Sequence, residues 1–292
     1  MTTKLIIDST CDLPEWIIKK FRLEVLPLIV TLENKSYRDN IDIQLEEVYG
    51  AMKKGIVPKT SQVPPEAIYS LFTEHCEAGH DLIYVSISSE LSGTFQLATM
   101  IANELREKYP SRKLTVIDSK GGSMGTGLIA LQACFMIERG AGYDAVCEYV
   151  KKAADHIEHF FIISNLEWLS KGGRIPKSLG KVGNLLNIKP LLKVENGKVA
   201  LLQMVRGQKK ALRTLLEKVS ERIDHMTDQY IGITHADDAE LAKKVEEMVK
   251  TAFPGCRTFV KSIGAAMGVH LGIGGVGIFF FNEKPEPYFY LD

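Results

Sequence analysis

The chain carries several short polar stretches that could hold an anion. The densest is Ser86-Ile-Ser-Ser-Glu-Leu-Ser-Gly-Thr-Phe-Gln96, where serine and threonine hydroxyls flank Gly93. It follows the apolar run Leu82–Val85, which reads as a buried strand. It precedes Ala98, Ile101, Ala102 and Leu105, spaced as the buried face of a helix. The hydroxyls therefore fall at a strand-to-helix turn, with Ser92 expected as the N-cap. In an open α/β sheet such turns lie at the carboxyl ends of the strands, where ligands bind. Unpaired N–H groups at a helix start favour a negative group there.

Asp8-Ser9-Thr10 stands at a second turn of the same kind, after the apolar Lys4–Ile7 and before a helix near Pro14 for which Asp12 is the expected cap. Thr60-Ser61-Gln62 lies between Pro58 and Pro64-Pro65, which forbid a helix and stiffen the segment into an expected rigid loop. His270 precedes Gly272, Gly274, Gly275 and Gly277, glycines that let backbone approach a ligand or another chain closely. Arg174 sits in the glycine loop Ser170–Lys177 with Lys171 and Lys177, with Lys181 just beyond. A basic loop of that kind suits a phosphate or an acidic partner surface.

Two catalytic signatures match by letter. Gly272-Ile-Gly274-Gly-Val-Gly277 fits the dinucleotide fingerprint, which requires a strand before it, a helix after it and a distant acidic residue. Here a strand follows, so the match is rejected. Gly121-Gly-Ser123-Met-Gly125 fits a nucleophile elbow, with His235 or His270 available as a base. Asp118-Ser119-Lys120 separates it from the preceding strand, so the fit is loose. A serine hydrolase centred on Ser123 is one alternative function. A binding protein for a small phosphorylated metabolite, using Arg174 and the hydroxyl loops, is another.

Alternating strand and helix signals from Lys4 to His159 imply a mostly parallel sheet flanked by helices, residues 1–159. From Phe160 the texture changes. Lys189–Val194 and Lys198–Val205 around Asn196-Gly197 read as a hairpin, followed by helices, two from Lys209 and Asp238, and further strands. Residues 160–292 are expected to form a smaller α/β domain with a mixed sheet. The 292 residues have room for two domains. Formal net charge is zero, which excludes nucleic acid and an anionic membrane as obvious partners. No signal-peptide layout opens the chain, no apolar run approaches a membrane span, and the five cysteines form no close pair. Those features lead to the expectation of a cytoplasmic protein with reduced thiols and no zinc site.

Taken together, Asp8-Ser9-Thr10 with Asp12-Leu-Pro14, Thr60-Ser-Gln62, Ser88-Ser89 with Leu91-Ser92-Gly-Thr94 and Gln96, Asp118-Ser-Lys120, Gly172-Gly-Arg-Ile175, Lys189-Pro190, Val205-Arg-Gly207 and His270 with Gly272 and Gly274 resemble the DegV family. The motifs run in order from residue 4 to about residue 281. Cys11, Lys59 and Ile273-Gly274-Gly275 are small departures. The resemblance implies a bacterial protein that buries a long-chain fatty acid, with its carboxylate near the domain junction. It further implies the binding subunit of a two-component fatty acid kinase, which presents the carboxyl group to a separate ATP-dependent kinase for acyl phosphate formation feeding phospholipid synthesis. Carried over by residue, Thr60, Ser61, Ser92, Gly93, Thr94 and His270 would bind the carboxylate, and Arg174 would face the kinase or handle phosphate. The resemblance implies no catalytic residue, no metal and no cofactor other than the ligand, and at most transient membrane contact. Elementary energetics agree: burying each methylene contributes about 0.8 kcal/mol, so a long tail binds without polar contacts. The carboxylate must then be hydrogen-bonded.

Overall fold

The computed structural model describes residues 2–180, 187–223 and 228–291. Its first half comprises β1 (Thr3–Asp8), a 3-10 turn (Ser9–Cys11), α1 (Glu15–Phe21), β2 (Glu24–Leu26), β3 (Ile29–Leu32), β4 (Lys35–Arg38), α2 (Leu45–Lys53), β5 (Lys59–Ser61), α3 (Pro65–Glu77), β6 (Asp81–Ser86), α4 (Thr94–Lys108), β7 (Leu114–Asp118), α5 (Ser123–Glu138) and α6 (Tyr143–His156). The second half comprises β8 (Ile157–Ile162), α7 (Glu167–Lys171), α8 (Lys177–Gly180), β9 (Ile188–Glu195), β10 (Lys198–Arg206), α9 (Gln208–Arg222), β11 (Tyr230–His235), α10 (Ala239–Ala252), β12 (Arg257–Ser262), α11 (Ala265–Leu271) and β13 (Val276–Phe281).

These strands make an α/β fold with a parallel sheet, β2-β1-β6-β7, and a mixed six-stranded sheet, β10-β9-β8-β13-β11-β12. β6 is buried at every residue, as a central parallel strand covered on both faces must be. α5 is buried from Ser123 to Met136 and apolar on all sides, so it cannot be a surface helix. It packs between the two sheets, touching β1 and β6 on one side and β8, β11 and β13 on the other. The β9–β10 hairpin turns at Asn196 and Gly197, with φ of 50° and 79°, a left-handed pair that Asn-Gly adopts readily.

A third sheet, β4-β3-β5, is antiparallel and was not expected. The apolar run from Val25 divides at Pro27 into β2, in the parallel sheet, and β3, in this small one. β5 includes Thr60 and Ser61 and pairs with β3, with Thr60 opposite Val30, so these hydroxyls stand on a strand rather than on a free loop. Pairing across sequence, invisible in the local pattern, makes the difference.

The chain also crosses between its halves. α11 packs on α2, α7, β3, β5 and the 3-10 turn, and Ala265, Ala266 and Val269 belong to the same buried cluster as Ile6 and Tyr84. Tyr288–Leu291 pack back on the cluster around α5. Residue 159, where the first domain is expected to end, falls inside β8. Among the described residues no helix is long and apolar enough to cross a membrane.

Candidate functional site

The turn after β6 ends in a helix whose N-cap is Gly93, not Ser92. Ser92 still serves the helix start: its Oγ accepts from Thr94 N–H at 3.3 Å and lies 2.9 Å from Thr94 Oγ1. Thr94 Oγ1 in turn accepts from Val63 N–H at 3.3 Å, which ties the α4 start to the segment before α3. Gly93 lets Gln62 approach: a Cβ there would lie 2.3 Å from Gln62 Oε1. The Thr60 and Ser92 segments are therefore neighbours in space.

His270 lies near the end of α11, a helix that sequence reading missed because it is short and bounded by Gly264 and Gly272. Its Nε2 lies 2.6 Å from Thr60 Oγ1. Burial, with the Arg174 charge adding to it, lowers its pKa to about 3, so the imidazole is neutral. Its Nδ1 is buried with no hydrogen-bond partner among the described residues. Arg174 is half-buried rather than free in solvent. Its Nε and Nη2 donate to the Leu91 carbonyl at 3.2 and 3.1 Å, and Nη1 donates to the Gly172 carbonyl at 2.5 Å. This fork fastens the loop after α7 to the residue preceding Ser92. Lys181 lies outside the described residues.

These groups surround one cavity with about 920 Å³ of atom-free space, its open part included. Thr60, Ser61, Ser92, His270 and Arg174 all line it; Gly93 and Thr94 do not, and support it from behind. The polar members reach solvent, whereas Ile87, Phe161, Ile163, Val276 and Phe279 are buried. One end is thus polar and accessible, and most of the buried wall is apolar. The apolar wall comes largely from β8, β13 and α11, elements whose aromatic and aliphatic residues read as ordinary core in sequence.

Ser123 also lines the cavity, with φ of 53°, a strained value for a serine. Its Oγ donates to Asp12 Oδ2 at 2.6 Å, and Thr234 Oγ1 lies 3.2 Å away. No hydrogen bond among the described residues links Ser123 to a histidine, so the arrangement lacks the pairing that activates a serine nucleophile. Asp12 is not the cap of α1, whose N-cap is Pro14. Instead it sits in a left-handed conformation and accepts from Gly264 N–H at 2.7 Å, holding the start of α11. The sequence could not show this, since Gly264 is remote from Asp12 in the chain.

Desolvation raises the Asp12 pKa to about 7, outweighing Lys261 and the bonds from Ser123 and Gly264. Between its ordinary value and about 7 the folded state therefore holds more protons than the unfolded chain. Stability contributed by this group falls as pH rises through that window. Asp12→Asn should flatten this part of the pH dependence. Urea midpoints at about pH 5 and about pH 8 test it, and an unaltered slope in the variant would refute the assignment.

Comparison with known proteins places these features in context. The family model described as "Uncharacterised protein, DegV family" matches residues 2–283. A DegV domain-containing protein of Clostridium perfringens is 33% identical over 283 residues, covering 96% of this chain and 97% of the relative. A DegV family protein from Thermus thermophilus, solved for its fatty acid binding, is 29% identical with a TM-score of 0.88, covering 96% of this chain and 99% of that one. The Streptococcus pneumoniae Fatty Acid Kinase (Fak) B3 protein, loaded with linoleic acid, shares the fold at 21% identity and a TM-score of 0.86, covering 97% and 100% of the two chains.

Proposed function

This chain belongs to the DegV family, and from that premise we propose that it binds a long-chain fatty acid and presents the carboxyl group to a separate ATP-dependent kinase. The observation that carries this reading is the gradient within one cavity, from accessible hydroxyls and imidazole to buried aliphatic and aromatic walls. An amphiphile with a single polar end matches that gradient. Fatty acid binding by the Thermus thermophilus relative supports the ligand, and fold likeness to the Fak B3 protein supports the kinase partnership.

In this reading the carboxylate lies among Thr60, Ser61, Ser92 and His270, with Gly93 and Thr94 shaping the turn. Hydroxyl donors and a neutral imidazole satisfy the charge without an ion pair, and an oxygen so held stays nucleophilic towards a phosphoryl group. Arg174 stands beside this cluster as the one cation among the described residues that line the cavity, and would meet charge that develops during transfer. The chain supplies binding and orientation, not a catalytic residue, and works in the cytoplasm. The acyl phosphate then enters phospholipid synthesis.

Denaturing extraction and mass spectrometry of protein purified without added lipid should return one long-chain fatty acid per chain. Adding the kinase subunit and ATP should convert it to acyl phosphate. An empty pocket that takes up no added fatty acid would overturn the ligand assignment. Loading without acyl phosphate formation would overturn the kinase role alone.

A further inference from the structure

Deep in the same cavity the wall is not uniformly apolar. Thr10, Ser123, Thr234, His159 and His235 line it, and each is at least nine-tenths buried. Five polar side chains are an unexpected lining for the part of a tunnel that should hold methylenes.

Their protons are all committed to the protein. Thr10 Oγ1 donates to Asp8 Oδ1, and Ser123 Oγ donates to Asp12 Oδ2. With the Ser123 proton engaged, Thr234 Oγ1 is the donor in its 3.2 Å contact with Ser123 Oγ. His159 Nε2 accepts from Gly122 N–H at 3.4 Å, and the ring is also hydrogen-bonded to the backbone of Ile157. His235 Nδ1 accepts from Asp238 N–H at 3.2 Å, which leaves its Nε2 proton for Ser262 Oγ at 3.3 Å. What Thr10, Ser123 and Thr234 retain is oxygen lone pairs. This inner set can accept a hydrogen bond but has no proton free to donate, the opposite of what a carboxylate requires.

Its distance from the carboxylate cluster follows from α11. The helix start is bonded to Asp12, the partner of Ser123, and His270 at its far end is bonded to Thr60. Six residue steps of helix separate the two, roughly 9 Å at 1.5 Å per residue. A chain anchored by its carboxylate passes the inner set near its middle.

We propose that the inner set of Thr10, Ser123 and Thr234 accepts a hydrogen bond from a mid-chain hydroxyl, so that the preferred ligands are hydroxylated long-chain fatty acids. This inference rests on the fatty-acid reading above. It discriminates by proton count: a mid-chain ketone has only acceptors and would face these lone pairs unpaired, while a plain methylene chain would leave them unused.

The test is a competition on the full chain, stripped of lipid, at about pH 8.5 so that Asp12 is charged. Equimolar stearic acid, a mid-chain monohydroxystearic acid and the matching ketostearic acid are offered, and the bound fraction is identified by mass spectrometry. The hydroxy acid should exceed stearic acid about fivefold, the worth of one neutral hydrogen bond, and the keto acid should fall below stearic acid. Thr234→Val or Thr10→Val should bring the ratio of hydroxy acid to stearic acid towards one. Equal uptake of hydroxy and plain acids, or a preference that survives in both variants, overturns this inference alone. Uptake of none of the three overturns it together with the fatty-acid reading.

Discussion

Thr60→Val should weaken fatty acid binding by roughly tenfold to a hundredfold, because hydrogen bonds to a charged group contribute about 1.5–3 kcal/mol each. The change preserves side-chain shape and suits a strand, so it removes a hydroxyl from β5 with little effect on the pairing between Thr60 and Val30. Two partners lose that hydroxyl at once: the ligand carboxylate of the proposed complex, and His270 Nε2, which it meets at 2.6 Å. A neutral imidazole left with both nitrogens unsatisfied is a further penalty, since His270 Nδ1 already lacks a partner among the described residues. Ser92→Ala should act in the same direction, and the two effects should be less than additive because the residues share one ligand group. Dissociation constants from titration with a long-chain fatty acid, alongside a thermal melt to verify folding, provide the check. Affinity unchanged in both variants would remove the carboxylate from this cluster.

The second large effect concerns folding. Asp8→Ala should destabilise the chain by about 4 kcal/mol or more, at the upper end of what single substitutions do. Asp8 is fully buried at the end of β1. Its carboxylate accepts from Thr10 N–H at 3.1 Å, the Thr10 hydroxyl, the Tyr84 hydroxyl at 3.1 Å and Ile87 N–H at 2.8 Å. Removing it leaves four buried donors unpaired, and each such group costs about 1–3 kcal/mol unless it finds a substitute. Tyr84 and Ile87 belong to β6 and the turn beyond it, so the carboxylate clasps the carboxyl ends of two neighbouring strands. Burial raises the Asp8 pKa despite these donors, which marks how much desolvation they must offset. Asp8→Asn, which keeps acceptor capacity on one oxygen, should retain part of the loss. Urea denaturation decides the matter: a midpoint close to that of the parent chain would show that the donors find other partners.

Much of the molecule was legible from local pattern. Alternation of buried strand and amphipathic helix runs through the first half, and the Asn196-Gly197 hairpin appears where its letters place it. The polar stretches at Thr60, Ser92 and His270 were legible because hydroxyls, and a histidine followed by glycines, are chemically conspicuous. What failed has physical causes. β4 is largely exposed, with the sequence Lys-Ser-Tyr-Arg, so it carries no strand signal of its own. Thr60 and Ser61 form β5 only because β3 lies alongside. Ser92 and Asp12 are each typical cap residues, yet each is used elsewhere: Ser92 one position before the cap, and Asp12 across the chain at Gly264.

The sequence alone determined which polar stretches could hold an anion and that the fold would be α/β with a parallel and a mixed sheet, because composition and periodicity act over a few neighbouring residues. Only the tertiary structure decided that Thr60 meets His270, that Arg174 turns inward to the Leu91 carbonyl, and that Phe161, Val276 and Phe279 form a cavity wall instead of closed core. These outcomes depend on packing between segments far apart in the chain. A phenylalanine facing a tunnel and one facing another side chain are equally hydrophobic, and no local pattern separates them.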